Sequence, residues 1–88
     1  MNTDELQNTL QQLHAEIEKL GAGDEETRKR LYAIIAELEK KLEHPEDIDQ
    51  HLALVEQLKV SVETFEVDHP TTSGILNRLM LYLGNMGI

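Results

Sequence analysis

Residues 70–88 read P-T-T-S-G-I-L-N-R-L-M-L-Y-L-G-N-M-G-I, and this stretch decides the fold. It holds no acid and one cation, Arg78, in a chain whose formal net charge is -9. On a helix, Ile75, Leu76, Leu79, Met80, Leu81, Tyr82, Leu83, Met86 and Ile88 project at almost every angle. A helix that is apolar all round has to be covered by its neighbours. Upstream helices or a second chain must do the covering, so the stretch implies a bundle, an interface, or both.

Moving outward from it, Asp68-His69-Pro70 closes the segment before, as Glu43-His44-Pro45 closes the one before that. The residue before a proline is pushed away from the α region, so each His-Pro pair ends a helix. Between them, Ile48, Leu52, Val55, Leu58, Val62 and Phe65 form the main apolar stripe of a third helix. Lys59 and Glu66 fall where a strict heptad wants apolar residues, which indicates a period nearer 3.6 than 3.5. Pro45 suits its first turn, and Glu46, Asp47 and Asp49 load that turn with negative charge. Ala53, Val60 and Val67 recur every seven residues on nearly the opposite side, a second contact surface or chance.

Further upstream, Leu6, Leu10, Leu13, Ile17 and Leu20 are spaced by fours and threes, a coiled-coil-like seam. Thr3, Asp4 and Glu5 supply its cap candidate and acidic first turn, and Gly21, Ala22 and Gly23 end it. Asp24 is the expected N-cap of a second helix buried along Leu31, Ile34, Ile35, Leu38 and Leu42. Asp24 with Arg28, Glu25 with Lys29 and Glu26 with Arg30 are acid-to-base pairs at i, i+4, so the basic cluster reads as a solvated face rather than an anion site. Lys40 and Lys41 sit in the last turn, where cations favour the negative end of the helix. Thr71, Thr72 and Ser73 offer caps for the final helix.

The expected fold is all-α: one domain over 1–88, a four-helix bundle or paired helical hairpins. Helices are expected near 3–20, 24–43, 46–67 and 71–84. Eighty-eight residues can bury only a small core, and with 3% aromatic content that core is built from Leu, Ile, Val and Met. The absence of cysteine rules out disulfides and thiolate chemistry and fits a reducing compartment. The opening M-N-T-D-E-L-Q-N lacks the basic and apolar regions of a secretion signal, so a cytoplasmic location is expected. Charge is uneven: residues 1–20 sum to -3, 21–44 to -1, 45–69 to -6 and 70–88 to +1. Such a surface repels phosphate backbones, which excludes nucleic acid as a favoured partner and leaves basic or apolar protein surfaces.

Phe65-Glu66-Val67-Asp68-His69-Pro70, followed by Gly74-Ile75-Leu76-Asn77-Arg78 and the closing Asn85-Met86-Gly87-Ile88, resembles a small bacterial family known as domain of unknown function 4404. The leucine-rich N-terminal seam and the D-E-E-T-R stretch at 24–28 are also similar to it. The resemblance implies a compact helical bacterial protein and carries no activity or catalytic residue to transfer.

Candidate chemistry is sparse. Glu66 with His69 at i, i+3 and Asp47 with His51 at i, i+4 are possible metal pairs, yet carboxylate-bridged sites in bundles need a second Glu-x-x-His and inward-facing Glu. His51 beside Ile48, Val55 and Leu58 reads as a packed or stripe-edge histidine, and His14 as a residue flanking the first seam. Ser73-Gly74 is not a nucleophile elbow, and no glycine-rich phosphate loop is present. Neither Ser61 nor Ser73 has the Asp-Ser-Leu context of an acyl carrier. No enzyme activity and no cofactor are therefore expected.

The leading functional expectation is a non-catalytic helical interaction module acting through self-association, as a homodimer, or through another protein's helix. Leu79, Met80, Leu81, Tyr82, Met86 and Ile88 are its expected interface. Two alternatives belong to other classes. One is a metal-binding protein using His51, His69 and nearby carboxylates; the other is a peripheral membrane protein lying on its last helix. Membrane association is disfavoured, because interfacial helices carry several Lys or Arg and Arg78 stands alone.

Overall fold

A computed structural model describes residues 3–85 as helices joined by tight turns. Helix α1 spans Thr3–Glu18, α2 Glu25–Glu43, α3 Ile48–Phe65 and α4 Pro70–Asn85, with a 3-10 turn at Ala22–Asp24. Each helix packs on its sequence neighbours, and α4 also packs on α1, so the four close an antiparallel ring. The described residues contain no strand. The bundle measures 37 × 22 × 18 Å, and its most extensive contact joins α3 and α4.

Local chemistry sets each boundary. Helix α1 stops two residues before the expected end: Lys19 N–H bonds Glu16 O at 3.2 Å and Leu20 N–H bonds Ile17 O at 3.1 Å, tightening the last turn to i, i+3. Arg28 Nη2 donates to Leu20 O at 3.1 Å and caps that end. The ion pair of Arg28 is with Glu25, three residues back, in place of the expected Asp24. Asp24 does occupy the N-cap position of α2, but its side chain accepts from Gly21 N at 3.2 Å and stands 3.8 Å from His69 Nε2. It thereby ties the α1–α2 turn to the α3–α4 turn.

Helix α3 starts at Ile48 rather than 46, because Asp47 is its N-cap and accepts from Gln50 N at 3.0 Å. Pro45 and Glu46 lie in the preceding turn. Helix α4 begins at Pro70 itself, whose fixed φ and missing N–H suit the first helical position. Thr72 and Ser73 are consequently not caps: both are buried, and Ser73 Oγ donates to Val62 O at 2.8 Å, tethering α4 to α3.

The core holds Leu6, Leu10, Leu13 and Ile17 of α1, Leu31, Ile34, Ile35 and Leu38 of α2, and Ile75, Leu76, Leu79 and Leu83 of α4. These match the expected faces. Helix α3 departs from expectation. Its buried stripe is His51, Leu54, Leu58, Ser61 and Phe65, spaced three, four, three, four. Val55 and Val62 flank that stripe half-buried, while Ile48 and Leu52 are 55% and 56% exposed. The seam is therefore strictly heptad after all, with two polar members in place of apolar ones.

Candidate functional site

Because α3 and α4 run antiparallel, the N-terminal half of α3 lies beside the C-terminal end of α4. His51, Leu52, Val55 and Glu56 of α3 and Gly84 of α4 line a cleft of about 370 Å³ between them. A side chain at Gly84 would project into open space, so this end of the groove is not closed by packing. Leu81, one turn before Gly84, is 57% exposed, and Ile48 lies one turn before Leu52 on α3. Leu52 thus lines the cleft, and Ile48 and Leu81 are exposed apolar residues one helical turn from the lining residues Leu52 and Gly84.

Of the residues expected at an interface, the structure separates those that are available from those that are not. Leu79 has no exposed surface and belongs to the intramolecular core. Met80 and Tyr82 are half-buried against that core, and Leu81 alone stands clear of it. Met86 and Ile88 lie outside the described residues. On the back of α3, Ala53, Val60 and Val67 are all exposed, with Val67 in the turn after the helix.

Beneath the cleft is a buried polar group that sequence reading did not assemble. His51 is 2% exposed and its Nδ1 has no hydrogen-bond partner among the described residues. Lys41, 4% exposed, points its ammonium along the α2–α3 connection, where Nζ donates to Pro45 O at 2.8 Å. Gln50 Nε2 donates to Glu37 O at 2.9 Å, joining α3 to α2, while Gln50 Oε1 is buried with no hydrogen-bond partner among the described residues. A signal for Lys41 was present: it lies three residues after Leu38 and seven after Ile34, on the apolar stripe. Lysine nonetheless reads as a surface residue when the carbonyl that receives it is contributed by a later turn.

The metal pairs do not converge. Among the described residues no three His, Asp or Glu side chains come together. Asp47 is engaged as a helix cap, and His69 stands near Asp24 and edge-on to Phe65, with ring centroids 6.0 Å apart. Also among the described residues, no helix is long and apolar enough to cross a membrane.

Burial, with the nearby Lys41 charge adding to it, holds the His51 imidazole below its usual 6.5. Between the depressed folded-state value and 6.5 the unfolded chain binds more protons than the native one, so stability rises with pH across that window. The contribution is fully present above 6.5 and is lost as pH falls below it. Urea unfolding from pH 7.5 to 5 is expected to show this loss in the wild type and a flatter profile in His51→Gln. Parallel profiles would assign the acid sensitivity to other groups.

A protein-family model described as Domain of unknown function (DUF4404) matches residues 6–88. No curated protein and no solved structure matches the chain.

Proposed function

The chain belongs to the DUF4404 family, and from that premise, which brings no assigned activity, we propose that it is a non-catalytic helical interaction module that self-associates as a homodimer. The carrying observation is that Leu52, exposed at the α3–α4 cleft, is joined by exposed Ile48 and Leu81 one turn from its lining residues. Contiguous exposed apolar surface on a small protein marks a contact site. Charge favours a second copy as the occupant. Residues 70–88 carry one cation and no acid, so a contact centred on Leu81 of α4 brings fewer carboxylates together than one elsewhere on a chain of net charge -9, with Glu56 at the cleft edge. A two-fold axis there buries the same residues on both partners.

Each Leu-sized side chain taken out of water contributes about 2 kcal/mol, so three per chain compete with the entropy lost on association. Light scattering coupled to size exclusion at tens of micromolar is expected to give twice the 10.0 kDa chain mass. Leu81→Asp and Leu52→Asp are each expected to give the chain mass with helicity intact. A wild type running as a monomer across that range would end this reading.

A further inference from the structure

A second face lies on the outside of α3 and is sorted differently by charge. Asp49, Ala53, Glu56, Val60 and Glu63 follow one another at spacings of four, three, four and three, and all are exposed. The helix therefore carries two strict heptad seams, one turned into the bundle and one turned to solvent. In the outer seam, carboxylates alternate with small or branched apolar residues. Val67 continues the apolar row into the following turn, 82% exposed. None of Asp49, Glu56 and Glu63 forms a salt bridge or side-chain hydrogen bond among the described residues.

We propose that the outer face of α3 is a docking seam for a basic amphipathic helix of another protein, whose cations pair with Asp49, Glu56 and Glu63 while its apolar side chains cover Ala53 and Val60. The spacing repeats every 3.5 residues, which keeps a partner helix in contact over the length of α3 when the two coil gently around each other. Small residues at the apolar positions allow that helix to approach closely. The acids then act where interhelical ion pairs select a partner. Residues 45–69 sum to -6, so the field around the seam draws a basic segment. The seam shares Glu56 with the edge of the α3–α4 cleft, so Leu81→Asp, a change on α4 alone, is the variant that separates capture of a basic helix from self-association.

The test is fluorescence anisotropy with a labelled synthetic peptide of about 21 residues, three heptads, bearing Lys and Leu at the two seam positions. A peptide of the same composition with the heptad order scrambled is the control, and the protein is used as wild type and as Leu81→Asp. The patterned peptide is expected to bind both proteins alike and at least ~10-fold more tightly than the scrambled one, weakening in high salt. The double variant Glu56→Lys, Glu63→Lys, whose changes lie on exposed positions, is expected to lose that preference and to bind a Glu-for-Lys version of the peptide instead. Equal binding of patterned and scrambled peptides would reduce the effect to net charge and overturn the proposal. Unchanged binding by the double variant would overturn it as well. So would self-association that Val60→Asp abolishes and Leu81→Asp leaves intact, since a second copy would then occupy the seam.

Discussion

Leu79→Ala is expected to lower the unfolding free energy by about 2–5 kcal/mol, the range for emptying a fully buried leucine site. Leu79 has no exposed surface and sits in the α4 stripe with Ile75, Leu76 and Leu83. A domain of this length commands only about 4–13 kcal/mol in total, so the variant should be close to unfolding at ordinary temperature. The midpoint should fall by about 4–8 °C for each kcal/mol lost. The loss should not depend on protein concentration, because the contacts removed are within one chain; a loss at a dimer contact would shrink as concentration rises. Leu81→Ala, at a site more than half exposed, is expected to stay within about 0.5 kcal/mol of wild type in the monomer. Thermal melts of both variants at two concentrations separate the core from the exposed site, and equal melts for Leu79→Ala and wild type would remove Leu79 from the core.

The second large effect is expected at Ser61, a residue with no feature in the sequence that announces it. Its side chain is fully buried in the α3 stripe between Leu58 and Phe65, and its Oγ has no hydrogen-bond partner among the described residues. An unpartnered buried hydroxyl costs about 1–3 kcal/mol, so Ser61→Ala is expected to be neutral or stabilising. Ser61→Leu restores apolar character but adds volume in a seam that closes on a small side chain, and overpacking of this kind costs about 1–3 kcal/mol. The hydrogen bond from Ser73 Oγ to Val62 O, one residue further along α3, holds α4 near that place and limits how far it can retreat. Chemical denaturation of the two variants checks the pair. Leu exceeding wild type in stability would show that the site has room and that the hydroxyl alone opposed burial.

Ser61 and His51 together explain why the exposed surface could not be read directly from hydrophobicity. With Ser61 and His51 turned inward, α3 shows Leu52 and Glu56 to the cleft and leaves Asp49 and Glu63 exposed in heptad register with Glu56. Rotating α3 to bury Ile48 and Leu52 instead would cover those exposed apolar residues and break up the outer seam. Both proposed docking faces follow from one choice of rotation.

That choice marks the division between what the chain dictates locally and what required the assembled bundle. The number of helices, the breaks at residues 21–23, at Pro45 and at Pro70, the heptad seam of α1 and the apolar face of α2 were all legible in the sequence. They rest on backbone restrictions and on periodicity, which act within a few residues. The inward face of α3 was not legible, because its apolar residues support two overlapping stripes that share Leu58 and Phe65. Nor was the burial of Lys41, whose partner is the carbonyl of Pro45, available only once the α2–α3 turn has formed. Hydrophobicity states which side chains gain from leaving water. Which of them do so on a helix held between α2 and α4 depends on how closely both neighbours approach, and the tether from Ser73 Oγ to Val62 O limits that approach on the α4 side.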